Sequence, residues 1–136
     1  MRILIANIIL TALLYSCNDK ATDCENYTYD CNTQEPYEWE MNIEVSLNNQ
    51  NKQIPIWIYE GKFNDTSHLV YTDTLTESST SVYLPLNKYY YTKAKYQQNG
   101  KTIYAIDGVF FKKYSRSVCD STCWYIKNEN MDVRLK

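Results

Sequence analysis

The sequence predicts an all-β chain, folded as a single antiparallel Greek-key β-sandwich of about seven strands. Three observations carry this expectation. Several short segments alternate apolar and polar residues at a period of two, and turn-forming residues separate them at fairly even intervals. Tyr, Val, Ile and Thr, which suit a pleated, half-buried surface, are abundant, with 14 tyrosines among 136 residues. No segment offers an amphipathic helical period of useful length, and the chain contains no internal repeat or low-complexity tract.

The first strand is expected just after Trp39, where Met41, Ile43, Val45 and Leu47 alternate with Asn42, Glu44 and Ser46. Asn48-Asn49-Gln50-Asn51 supplies a turn, and Ile54, Ile56 and Ile58 resume the alternation with Pro55, Trp57 and Tyr59 on the other face. Pro55 lacks a backbone donor, which confines it to a strand start or an edge. A third strand is expected over 69–75, a fourth over 81–86 and a fifth over 89–97. Gln98-Asn99-Gly100 is a hairpin turn into a sixth strand over 102–106, and shorter segments near 123–126 and 131–135 complete the set. The alternation places Ile43, Val45, Leu47, Ile56 and Ile58 in the core, with Tyr89 or Tyr91 against the Leu84-Pro85 corner.

The amino terminus has a different character. Arg2 precedes an apolar run from Ile3 to Leu14, about a dozen residues long, which is short for a transmembrane helix and suited to the core of a signal peptide. With Leu14-Tyr15-Ser16-Cys17 following, this segment resembles a bacterial lipoprotein signal. The resemblance implies cleavage before Cys17, a diacylglycerol on its thiol and acylation of the new amino terminus, for instance with palmitate. An ordinary cleaved secretory signal is the alternative. Residues 1–16 are then the signal peptide, 17–38 an acidic tether and 39–136 the sandwich domain. The 120 residues left after cleavage suffice for one domain with a core.

If Cys17 is acylated, four of the five cysteines remain, and an even number in an exported chain reads as two disulfides. Of the three possible pairings, spacing favours Cys24 with Cys31 and Cys119 with Cys123, because short loops close at low entropic cost. Zinc is a weaker reading, since thiolate sites show tighter knuckles and belong to reducing compartments. Charge is also uneven. Residues 17–85 carry three Lys/Arg against twelve Asp/Glu, and residues 86–136 carry ten against four. This could give a basic face for an anionic partner. The simpler reading is that oppositely charged strands neighbour each other in one sheet.

Three segments carry a second resemblance: Ile54-Pro55-Ile56-Trp57-Ile58-Tyr59-Glu60-Gly61, Tyr71-Thr72-Asp73-Thr74, and Leu84-Pro85-Leu86-Asn87-Lys88-Tyr89-Tyr90-Tyr91-Thr92-Lys93-Ala94. Together they resemble the prealbumin-like sandwiches, which include transthyretin-like, carboxypeptidase-regulatory-like and collagen-adhesin B-type repeats. Asn87 stands where that family usually has Gly, and Asn is the next most tolerant of positive φ. The tyrosine- and asparagine-rich composition with a lipobox also resembles lipoproteins of the Bacteroidota.

Catalysis has little to draw on. His68 is the only histidine, it sits beside Ser67 without a nucleophile-elbow pattern, and it reads as a surface residue. The catalytic relatives of the resembled fold, hydroxyisourate hydrolases and intradiol dioxygenases, use more than one histidine. The first strand has no lysine for the isopeptide crosslink found in some adhesin repeats, and no calcium-loop spacing occurs. The expectation is therefore a non-enzymatic, lipid-anchored cell-envelope protein, located at the outer membrane of a Gram-negative bacterium, with a structural or partner-binding role. An accessory module that presents aromatic rings to a glycan or peptide is the alternative, with Trp57, Tyr59 and Tyr90 as the candidate surface. No cofactor, metal or nucleic acid is expected. The partners anticipated are the membrane, through the lipid, and another envelope protein or a glycan.

Overall fold

The computed structural model describes residues 32–136. Cys17, Cys24 and Cys31 lie outside the described residues, as does the whole signal segment. Eight strands and no helix are present among the described residues: β1 Glu38–Glu44, β2 Ile54–Glu60, β3 His68–Leu75, β4 Ser79–Pro85, β5 Lys88–Gln98, β6 Lys101–Val118, β7 Ser121–Lys127 and β8 Asn130–Asp132. They form a three-stranded sheet in the order β4-β1-β8 and a five-stranded sheet in the order β3-β2-β5-β6-β7. The pairing is antiparallel except between β1 and β8, which run parallel, so the all-antiparallel expectation fails at that one contact.

A sandwich-like core follows from the alternation. Met41, Ile43 and Val45 in and just after β1, with Val82, Leu84, Met131 and Val133, form one wall of it. Ile54, Ile56, Ile58, Tyr90, Ala94, Tyr96 and Phe111 form the other. Leu47 packs at the rim and is only half-buried, because β1 ends at Glu44. Pro55 stands second in β2, beyond the first residue that β5 pairs, so its missing donor interrupts no ladder on that side. Asn99 (φ 53°) and Gly100 (φ 74°) make the left-handed turn expected of Asn-Gly, and Asn87 adopts φ 63° at the corner before β5.

The corner is where the expected register fails. Neither Tyr89 nor Tyr91 packs there. Tyr90 does, donating its hydroxyl to the Pro85 carbonyl at 2.9 Å and setting its ring edge-on to Phe111. Tyr90 is 1% exposed, so it belongs to the core and not to the surface assigned to it above. The physical reason lies in pairing: Tyr90 sits opposite Glu60 and Val109, in the inward series that continues through Thr92, Ala94 and Tyr96. Burial pushes the Tyr90 phenol well above its ordinary value of 10.0, and the nearby Glu60 carboxylate adds to the shift.

The sixth strand is also much longer than expected. Its 18 residues run past β5 and form a hairpin with β7, from Lys112 opposite Lys127 to Val118 opposite Ser121. Alternation is hard to see there because both faces are apolar, with Ile103, Ala105 and Val109 packed on the core and Tyr104, Ile106 and Phe110 on the opposite face. Cys119 occupies the turn of this hairpin at φ 52° and Cys123 is fully buried; each is disulfide-bonded.

Residues 32–37, assigned to the tether by composition, are held against the domain. Asn32 bridges to Trp124, the Glu35 carboxylate pairs with Lys113 at 2.7 Å, the Pro36 carbonyl accepts from the same ammonium at 2.9 Å, and Leu86 N–H donates to the Tyr37 carbonyl at 2.9 Å. Two side chains lock the other end of the sandwich. Asn51 Oδ1 accepts from Gln97 N–H at 2.7 Å while its Nδ2 donates to the Gln97 carbonyl at 2.9 Å, so this amide imitates a strand partner for the end of β5. Tyr96 donates its hydroxyl to the Val133 carbonyl at 2.7 Å and accepts from Ser46 N–H at 3.1 Å.

Candidate functional site

The outward face of the five-stranded sheet follows from the register. Tyr89 lies opposite Phe110, Tyr91 opposite Gly108, and Lys93 opposite Ile106, giving three successive rows across β5 and β6. On β2, Tyr59 pairs with Tyr91 and Trp57 with Lys93, which carries the same rows across the sheet. Gly108 stands in the middle row, where every neighbour has a large side chain. A Cβ added there would meet Tyr91 Cβ at 3.1 Å and the Tyr90 carbonyl oxygen at 3.2 Å. Glycine inside a strand marks a place where another group approaches the backbone closely.

The loop from Gly61 to Ser67 completes the site. Gly61 adopts φ +121°, and a Cβ there would lie 2.7 Å from the Thr66 carbonyl oxygen, so only glycine permits this turn. The turn is fastened by Gly61 N–H donating to the Tyr89 carbonyl at 2.8 Å and by a hydroxyl–hydroxyl hydrogen bond of 3.1 Å between Ser67 and Tyr91. It delivers Phe63 edge-on to Tyr91, with ring centroids 5.4 Å apart. Tyr59 stacks on Tyr91 at 4.8 Å with the planes 9° apart, and Tyr89 packs on Phe110 at 4.7 Å.

The result is a cleft of about 390 Å³ bounded by Lys62, Phe63, Tyr89, Tyr91 and Ile106, with backbone at Gly108. That volume falls within the range of small-ligand sites. The Lys62 ammonium lies 4.5 Å from the centre of the Tyr89 ring, and the Lys93 ammonium lies 4.0 Å from that of Tyr104. Phe63 is 51% and Tyr89 43% exposed, so these rings reach solvent while Tyr59 and Tyr91 support them from behind.

Of the three aromatic residues singled out from the sequence, Tyr59 belongs to this site as the ring beneath Tyr91. Trp57 lies one row away on the same face, half-buried, and Tyr90 contributes only backbone. Phe63, Tyr89, Tyr91 and Gly108 were not anticipated. The signal that points to them is Gly108, a lone glycine among apolar residues of a strand.

His68 is exposed on β3, with Nε2 3.8 Å from Glu60 Oε2, an oxygen that also takes the Lys88 ammonium at 2.9 Å. No group of three or more His, Cys, Asp or Glu residues among the described residues is arranged to hold a metal ion.

The larger sheet carries both signs, since Glu60 on β2 takes the Lys88 ammonium of β5 at 2.9 Å and Asp73 and Asp107 lie on β3 and β6. Glu38, Glu40 and Glu44 share β1 in the smaller sheet, whereas Lys93, Lys95, Lys112, Arg116 and Lys127 lie on β5, β6 and β7 of the larger one. The simpler reading, oppositely charged strands side by side in one sheet, therefore fits Glu60 and Lys88 but not the acidic residues of β1. Comparison with known proteins returns no family model, no curated protein and no solved structure that matches this chain.

Proposed function

We propose that this protein is a non-catalytic, lipid-anchored binding module of the bacterial cell envelope, and that its cleft over Gly108 receives a sugar ring of a glycan. The cleft itself carries the reading: flat rings on either side of a glycine floor suit the apolar CH faces of a sugar, and they bury area at little entropic cost. Export is supported by the disulfide-bonded Cys119 and Cys123, since such bonds persist in oxidising compartments. Attachment rests on the signal-like segment ending at Cys17. A prealbumin-like Greek key is supported by the orders β4-β1-β8 and β3-β2-β5-β6 with the parallel β1–β8 contact; β7 is then an added hairpin strand.

A glycan array probed with the detergent-solubilised mature protein tests the reading. Binding is expected, and it should be lost in Tyr89→Ala and in Phe63→Ala, which remove exposed rings from the two sides of the cleft, while melting temperatures stay near that of the parent. Absence of any glycan signal, or binding unchanged in both variants, would leave the cleft without this role and favour a structural part for the sandwich.

A further inference from the structure

We infer that the glycan is an anionic polysaccharide, one carrying carboxylate or sulfate groups, and that it crosses the outer face of the larger sheet from the cleft toward the β6–β7 hairpin. This rests on the glycan reading above and adds the charge of the ligand. The register supplies the first observation: no strand position that faces outward on β2, β3, β5, β6 or β7 holds an Asp or Glu. Lys93, Lys95, Lys112, Arg116 and Lys127 all face that way. Asp107 lines the cleft but sits on the inward series, its two carboxylate oxygens accepting from the Gly108 N–H at 2.9 Å and the Asp132 N–H at 2.8 Å; Asp73 is on the inward series of β3, and Asp65, in the loop with Lys62, turns its carboxylate back to the Thr66 N–H at 2.7 Å.

How these cations are held is the second observation. The ion pairs among the described residues use Lys88, Lys113 and Arg134, and none of the outward cations. Lys62, Lys93 and Lys127 instead rest over the rings of Tyr89, Tyr104 and Tyr114, at 4.5, 4.0 and 4.8 Å from the centroids. A ring positions an ammonium without neutralising it, so the charge stays available to an anion. The rows holding Tyr89 and Lys93 flank the Gly108 row. They are four residues apart on β5, about 13 Å at the rise of a strand, so a sugar in the cleft would have an ammonium near either end.

The track continues along β6, where the Tyr114 ring stacks on Tyr125 at 5.3 Å. Meanwhile Glu38, Glu40, Glu44 and Asp132 lie on the outward series of the smaller sheet. Opposite faces of the sandwich therefore carry opposite fields, and an anionic chain is steered to the aromatic one.

Binding of the mature protein to polygalacturonate and to dextran sulfate, with neutral dextran and a single-stranded oligothymidylate as comparisons, tests the inference. At least one anionic polysaccharide is expected to bind at least about tenfold more tightly than dextran, and to lose about tenfold or more between about 50 and 500 mM NaCl, as screening of exposed charges requires. The two anionic probes separate carboxylate from sulfate recognition. The double variant Lys62→Gln/Lys93→Gln should weaken this binding about tenfold and leave the melting temperature unchanged, whereas Tyr89→Ala should abolish it. Equal binding of dextran would overturn the charge assignment and leave the glycan reading standing. Tighter binding of the oligothymidylate, or affinity indifferent to the lysine substitutions, would also overturn it. Failure of every saccharide would remove both readings.

Discussion

Tyr96→Phe removes one oxygen atom from the middle of the fold and leaves its packing volume nearly intact. That hydroxyl joins three segments: it sits on β5, donates to the Val133 carbonyl beyond β8 at 2.7 Å, and accepts from the Ser46 N–H beyond β1 at 3.1 Å. Tyr96 and Val133 are both fully buried, so the orphaned carbonyl cannot recover a water partner without opening the core, which costs about 1–3 kcal/mol. Ser46 is half-buried and its N–H can be rehydrated, adding about 0.5–1 kcal/mol. A total of about 1.5–4 kcal/mol is expected, or a melting temperature lower by roughly 6–30 °C for a domain of this size. Urea titration followed by tryptophan fluorescence, with disulfides intact, measures it. Tyr104→Phe on the exposed face is the control and should change stability by less than about 0.5 kcal/mol. The same variant has a pH signature. Burial raises the Tyr96 phenol above its ordinary 10.0, so the folded state holds its proton more tightly than the unfolded chain does. This contribution is complete below pH 10 and is lost as pH rises above it, and Tyr96→Phe should flatten part of that alkaline decline. A loss below about 0.5 kcal/mol, with an unchanged alkaline limb, would refute the account of a dry hydroxyl bridging the two sheets.

Ile56→Ala should cost about 2–5 kcal/mol in the same titration, because Ile56 is fully buried, while Trp57→Ala on the outward face should cost less; the reverse order would mean that β2 is out of register. Non-reducing peptide mapping should find Cys119 and Cys123 each linked to Cys24 or Cys31. The β7 register sets Cys123 opposite Arg116, three residues before Cys119, and at the rise of a strand that offset is roughly 10 Å, more than the roughly 4.4–6.8 Å between Cα atoms that a disulfide spans. A Cys119–Cys123 peptide would contradict that register. Intact mass of the membrane-extracted protein should show a diacylglyceryl adduct at Cys17, and Cys17→Ser should release the protein from the membrane; an unmodified mature form would exclude the anchor.

Periodicity in the chain determined the all-β class, the β1 and β2 cores and the two left-handed turns at Asn87 and Asn99-Gly100. Ile43, Ile56 and Ile58 alternate with residues of opposite character, and Asn and Gly are the residues that tolerate positive φ, so each of these signals is local. The run Tyr89-Tyr90-Tyr91 carries no such contrast. Three identical side chains are compatible with either register, and only pairing with Glu60 and Val109 turned Tyr90 inward and its neighbours out. The length of β6 was hidden for the same reason, since a strand that is apolar on its core face and carries Tyr104, Ile106 and Phe110 on its outward face shows no alternation. The cleft depended on tertiary structure most of all. Gly61, Phe63, Tyr89, Tyr91 and Gly108 come from a loop and two strands as much as 47 positions apart in the chain, and the charge asymmetry became two opposed faces only when β1 joined one sheet and β5 to β7 the other. Sequence spacing records which residues share a strand face, but which strands become neighbours is decided by how the two sheets bury their apolar sides against each other.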